Sequence, residues 1–214
     1  METRSGLSAY TQKLEVAALS KLYSCSSKDF RKTVSRKRSE ITRSRGEKAR
    51  DAHFAEYRHQ EFVDFCKSTG LRREELRQLK GTDLVYQEDG WYIYVQRGSK
   101  GGRPRYAPII GNVDLVIRLM QAAGDQPVFD RIPGGADVHS YRADYATAIY
   151  KQYARPINEI PYNVDSRGRR YRSGVYICRK DRKGEQLDRD AMLVASRALG
   201  HNRVSVVGEH YLRL

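Results

Sequence analysis

The sequence predicts an α+β fold, mainly helical, with a small three-stranded antiparallel sheet. Two observations carry this. Apolar residues recur at helical spacing in several segments that end on glycine or before proline. One central stretch, WYIYVQRG, instead alternates, with Trp91, Ile93 and Val95 on one side and Tyr92, Tyr94 and Gln96 on the other, between turn-forming clusters. With 39% hydrophobic content in 214 residues, the chain can bury an ordinary core.

In order, residues 1–50 stand apart from residues 51–214. Thirteen Lys and Arg face five acids there, so eight of the fourteen excess positive charges sit in under a quarter of the chain. Leu14, Ala17, Leu19 and Leu22 suit one or two helices, after which RKTVSRKRSEITRSRGEKAR reads as a basic connector. From Asp51, Phe54, Tyr57, Phe62, Phe65 and Cys66 keep helical spacing up to a stop at Thr69-Gly70, and LRREELRQLK restarts a helix. The sheet follows, with strands at Leu84 to Tyr86, in WYIYVQRG and in RYAPII, joined by the turns QEDG and SKGGRP. Asn112 caps a helix with Val116, Leu119, Met120 and Ala123 on one stripe, closed by Gly124. VHSYRADYATAIYKQYA is another helix, with Val138, Tyr141, Tyr145 and Ala148 as its buried stripe and His139 and Arg142, three apart, on a neighbouring face. RRYRSGVYICRK, the turn DRKG and GEQLD read as an inserted hairpin with a basic surface. Asp190 caps DAMLVASRALG, Gly200 stops it, and a short last helix begins around Ser205.

A net charge of +14 points to a polyanion, with nucleic acid the first candidate. No apolar run approaches the ~20 residues of a spanning helix and no signal-peptide pattern opens the chain, so a membrane partner is not expected and a cytoplasmic, nucleoid-associated location is. Cys25, Cys66 and Cys178 are widely spaced, odd in number and fit no zinc pattern, which suits reduced structural residues.

Four stretches carry residue types suited to phosphate chemistry: TGLRREELRQLKGTDL, RGSKGGRPRYAPI, HSYRADYA and LGHNRVSVVGEHY. Singly, Arg72 would be an ordinary surface cation, Lys100 a solvated turn lysine and Tyr211 a packing residue near the terminus. Together and in this order they resemble the catalytic domain of the tyrosine recombinases, the phage-type integrases, and are similar to those of integrative conjugative elements and transposons. The resemblance spans Asp51 to the C-terminus. It implies that Arg72, Lys100, His139, Arg142 and His201 form the catalytic set around Tyr211 as nucleophile, with Glu75 in support. It also implies that residues 1–50 hold the last helices of a core-binding domain.

The chemistry fits these types. A phenol of pKa near 10 needs a proton acceptor, for which His139 is the candidate, and an electrophile whose charge is already offset. Two guanidiniums, Arg72 and Arg142, suit the non-bridging oxygens of a scissile phosphate, with His201 as an additional donor. Lys100 on a β-turn can protonate the leaving 5′ oxygen. Energy kept in a 3′-phosphotyrosyl bond makes rejoining independent of ATP, and no cofactor or metal is expected; the sequence holds no P-loop. The implied partner is double-stranded DNA, gripped by a homo-tetramer on paired sites. Arg36, Lys37, Arg38, Arg43 and Arg45 in the connector, Arg97, Arg103 and Arg105 around the sheet, and Arg169 and Arg170 in the hairpin are the expected DNA contacts.

Three features depart from the family pattern, the first being that about fifty residues stand where the family carries a full helical core-binding domain. His201 and Tyr211 are ten residues apart, one more than in its common form, and Ala143 stands where many members carry a second histidine. Type IB topoisomerase-like relaxation and a non-catalytic DNA-binding remnant are the alternative functions.

Overall fold

A computed structural model of the chain describes residues 6–35, 54–99, 103–179 and 182–214. It divides into two compact units, Met1–Ser44 and Arg45–Leu214. In the first, helix α1 spans Ala9–Leu22 and starts where the Ser8 hydroxyl accepts the Thr11 N–H at 3.1 Å. Within it Ala9 and Val16 are buried, whereas Leu14 and Leu22 are exposed.

Among its described residues, the second unit has four helices of ten residues or more. Helix α2, Gln60–Thr69, buries Phe62, Val63, Phe65 and Cys66. It begins later than its apolar spacing predicts, after a 3-10 turn at Glu56–His59 that leaves Tyr57 on the surface. Gly70 ends it at φ 59°, and a Cβ there would lie 2.1 Å from the Tyr145 ring, so conformation and space both require glycine. The next helix, α3, is only Arg73–Arg77, shorter than the predicted LRREELRQLK.

Strands β1 (Leu84–Gln87), β2 (Gly90–Val95) and β3 (Arg105–Pro108) form an antiparallel sheet in that order. Ile93 pairs with Ala107 and Val95 with Arg105, and Ile93, Val95 and Ala107 are buried. On the opposite face Tyr94 stacks on Tyr106 with ring centroids 4.9 Å apart. Helix α4, Val113–Ala123, is capped by Asn112 as expected.

Helix α5, Val138–Tyr153, is the wall between two hydrophobic clusters. Val138 and Tyr141 belong to the first, with the α2 and sheet residues; Ala143, Tyr145, Ala146, Ile149 and Tyr150 belong to the second, with the C-terminal helices. Packing on both sides explains why Ile149 is buried while Ala148, expected in the stripe, is exposed. Arg142 sits at the junction.

The predicted hairpin after α5 resolves into two short ribbons. Strands β4 (Asn163–Val164) and β5 (Arg170–Tyr171) pair with each other, and β6 (Val175–Ile177) pairs with β7 (Gln186–Asp188). The break falls at Ser173-Gly174, where the Ser173 hydroxyl hydrogen-bonds Asn163 at 2.7 Å and a Cβ on Gly174 would lie 2.9 Å from Ile160. Asp188, not Asp190, caps helix α6, Arg189–Ala198, while also pairing with Arg155 at 2.8 Å. Gly200, at φ 71°, separates α6 from helix α7, Val204–His210. The described cysteines are free, with Cys66 and Cys178 buried. No helix among the described residues is long and apolar enough to cross a membrane.

Candidate active site

Two glycine stops and the start of α5 bring the candidate residues together. Gly70 turns the chain out of α2 so that Arg72 stands in extended backbone just before α3. The first turns of α5 carry His139 and Arg142. Gly200 turns the chain out of α6 and presents His201, after which α7 returns Tyr211.

Arg72 is held from both ends. Its backbone N–H donates to Glu75 Oε2 at 2.8 Å, its Nη1 to Glu75 Oε1 at 2.6 Å, and its Nη2 to the Leu199 carbonyl at 3.2 Å. Arg142 is 2% exposed and donates through Nη1 to the Gly70 carbonyl and through Nη2 to the same Leu199 carbonyl. One carbonyl therefore gathers both guanidiniums. Arg142 Nε is buried with no hydrogen-bond partner. Burial, and then repulsion by Arg72 and Arg105, press the Arg142 pKa down to about 10, which leaves it a cation at neutral pH.

Glu75 is the counter-charge. Burial alone would raise its pKa, but the hydrogen bonds and charge of Arg105, the Arg72 N–H and the charge of Arg142 outweigh it and hold the carboxyl at about 2. Arg105 grips it bidentately, Nη1 to Oε1 and Nη2 to Oε2, each at 2.7 Å, and donates through Nε to the Ala198 carbonyl at 3.1 Å. Three arginines against one carboxylate leave two positive charges at a half-closed site, which suits an anion whose charge grows during reaction.

Tyr211 is docked among these groups. It is 7% exposed, its hydroxyl lies 3.4 Å from His201 Nε2, its ring lies 5.2 Å from the His139 ring between centroids, and the Arg142 guanidinium lies 5.6 Å from its centroid. Burial, and then Arg142, Arg72 and Arg105, depress His201 to about 4, so it is neutral at pH 7. The phenol hydroxyl thus meets His201, expected as an additional phosphate donor, and the phenol ring also faces His139. The extra residue between His201 and Tyr211 does not keep the phenol out of the site.

The structure brings Arg72, Glu75, His139, Arg142, His201 and Tyr211 into one site. Lys100 and the connector cations Arg36, Lys37, Arg38, Arg43 and Arg45 lie outside the described residues. Among the expected DNA contacts, Arg103 is exposed, Arg169 is exposed beside Asp165 at 2.7 Å, and Arg170 is exposed with its guanidinium 4.4 Å from the Tyr162 ring centroid. Arg97 pairs with Asp83 at 2.5 Å, and Arg105, instead of facing outward, is spent inside the site. Sequence reasoning missed the Leu199 carbonyl, which no side-chain pattern can reveal. It also missed the inward direction of Arg105, which was available from the alternation that makes Ala107 a core residue. No group of His, Cys, Asp and Glu suited to hold a metal occurs among the described residues.

No protein-family model and no curated protein sequence matches the chain. Among solved structures it is similar to a Tn1549 transposon integrase in complex with transposon right end DNA, at a TM-score of 0.47 and 13% identity over 99% of this chain and 78% of that one.

Proposed function

We propose that this chain cleaves and rejoins duplex DNA through a 3′-phosphotyrosine, as the strand-transfer enzyme of site-specific recombination that integrates or excises a mobile element. The observation that carries the reading is the Tyr211 hydroxyl, held 3.4 Å from His201 Nε2 beside Arg142 in a site with two surplus positive charges. Tyr211 Oη attacks the scissile phosphorus and gives its proton to an imidazole, as the bond from phosphorus to the 5′ oxygen breaks. Lys100 delivers a proton to that oxygen, leaving a free 5′ hydroxyl. Arg72 and Arg142 answer the charge gathering on the non-bridging oxygens, and the orphaned Arg142 Nε–H gives one donor that has no acceptor until a phosphate arrives. The reverse attack by a 5′ hydroxyl rejoins the strand. Exchange between two sites calls for a tetramer, with exposed Arg103, Arg169 and Arg170 among the cations on DNA.

The test is a nicked suicide duplex from which the short 5′ fragment diffuses away. The parent protein accumulates a denaturation-resistant protein–DNA adduct and Tyr211→Phe accumulates none, while both bind the duplex alike. An adduct that persists in Tyr211→Phe refutes the assignment. Recombinant product from two sites selects recombination over simple relaxation.

A further inference from the structure

We infer that Arg105 is a positioning residue that fixes both halves of the catalytic site, acting on Arg72 through Glu75 and on the His201 turn through the end of α6; this rests on the strand-transfer reading above.

An arginine on β3 would ordinarily point its guanidinium to water or to a polyanion. Here the register forbids that. Arg105 pairs with Val95, two positions from the Ala107–Ile93 pair, so it shares the inward face of the sheet. Its side chain is 8% exposed, and all three of its nitrogens donate within the protein. One end is the two-point clasp of Glu75. Planar bidentate pairing fixes the orientation of a carboxylate as well as its position. The same two oxygens receive the Arg72 N–H and Arg72 Nη1, so the plane that Arg105 sets is the plane against which Arg72 is aimed.

The other end is the Ala198 carbonyl, at the close of α6. The next residue, Leu199, supplies the carbonyl shared by Arg72 and Arg142. Gly200 packs directly on the Arg105 stem: a Cβ there would lie 2.9 Å from Cδ and 3.2 Å from Nε. His201 follows. Arg105 therefore touches the carrier of the first arginine and the turn that carries the histidine beside the nucleophile. A lysine keeps the charge but cannot grasp both carboxylate oxygens and a carbonyl at fixed angles.

The experiment compares single-turnover cleavage of the suicide duplex by the parent, Arg105→Met, Arg105→Lys, Arg72→Ala and the pair Arg105→Met/Glu75→Gln, together with DNA affinity and melting temperature. Arg105→Met should cleave ~100-fold more slowly or worse, the scale of losing an aligned donor, with DNA affinity unchanged, and Arg105→Lys should not rescue it. Removing Arg105 alone takes two of its four hydrogen bonds from a buried carboxylate, a fault that can loosen the site. The paired substitution removes that fault, and cleavage should stay slow in it because Arg72 is still unaimed. A duplex with a neutral methylphosphonate at the scissile position has less need of an aimed guanidinium, so the deficits of Arg105→Met and Arg72→Ala should shrink together on it.

Cleavage by Arg105→Met within threefold of the parent overturns the inference. So does a parallel loss of DNA affinity, which would make Arg105 a DNA contact, or recovery in the paired variant, which would make it only a neutraliser of Glu75. An equal deficit on both duplexes also overturns it. If the parent itself forms no Tyr211-dependent adduct, the strand-transfer reading falls and the positioning role falls with it; if the parent forms one and the Arg105 variants cleave normally, only the positioning role falls.

Discussion

Glu75 at about 2 and His201 at about 4 both lie below their ordinary values, one because cations surround an anion and the other because burial and the same cations oppose a new charge. For each, the unfolded chain holds more protons at acid pH than the native one, so each loses stability as pH falls. The contribution of Glu75 is complete above its unfolded value near 4.5 and fades as pH falls through 2. That of His201 is complete above 6.5 and fades as pH falls towards 4. The two windows are separable. Because His201 is only half-buried, screening reduces its effect to about 1 kcal/mol, or roughly 3 °C in melting temperature for a domain of this size. His201→Gln should accordingly flatten the fall of melting temperature between pH 6.5 and 4 by that amount and leave the steeper decline below pH 4 in place. Melts across the pH range check it, and a slope unchanged by the substitution contradicts the depressed histidine. At this scale the sequence was informative where a motif fixes a residue type, as with Arg72, Arg142 and Tyr211. It was less so where function depends on direction. The charge of Arg105 suggests an outward-facing cation, whereas its register with Ala107 on β3 turns it inward.

Helix α7 has seven residues, too few to hold its shape without tertiary support. Its sequence predicts a short helix near Ser205 and the structure starts it at Val204, so its existence was legible. What fixes it was not, because the tethers come from distant segments. Val207 and Leu212 are buried in the second cluster. Arg182, in the loop before β7 and paired with Glu185, donates to the Gly208 and Leu212 carbonyls at 3.2 and 3.4 Å. That cation sits where the end of a helix leaves carbonyls without partners. Arg213 reaches Asp144 and Ser140 on α5, each at 3.0 Å, and its N–H donates to the Thr147 hydroxyl at 3.0 Å. A shift of α7 would carry the phenol away from His201, so under the proposed function these contacts bear on chemistry. Arg182→Ala, removing one charged hydrogen-bonding group worth about 1–1.5 kcal/mol, should raise amide exchange across residues 204–212 by roughly 5- to 10-fold while α2 and α5 keep their protection. Hydrogen-exchange mass spectrometry reads this directly. Uniform change across the chain, or none in α7, would show that Arg182 does not hold the helix that precedes Tyr211.

For the whole molecule, the division of charge carries more information than its sum. Eight of the fourteen excess charges lie in residues 1–50, while the site confines its own cations around Glu75 and Leu199. Composition announced the polyanion but could not separate cations aimed at a reacting phosphate from cations that provide affinity. In the second unit Arg72, Arg105 and Arg142 are turned inward, and Arg103, Arg169 and Arg170 outward. If the connector lies along duplex DNA, Arg36, Lys37, Arg38, Arg43 and Arg45 neutralise phosphates and release counterions. Each such contact adds roughly 0.9 to the slope of log affinity against log salt, so five add about 4.5, or ~500-fold in affinity between about 50 and 200 mM salt. Changing all five to Gln should remove that slope and leave the cleavage rate at saturating DNA close to the parent value, since the proposed reading gives them phosphate contacts and no step of the chemistry. Arg103→Gln, Arg169→Gln and Arg170→Gln should each lower the slope by about one at most. A salt slope that survives the five-fold substitution would place the affinity on the outward cations of the second unit instead, and a lost cleavage rate at saturation would draw the connector into the active site.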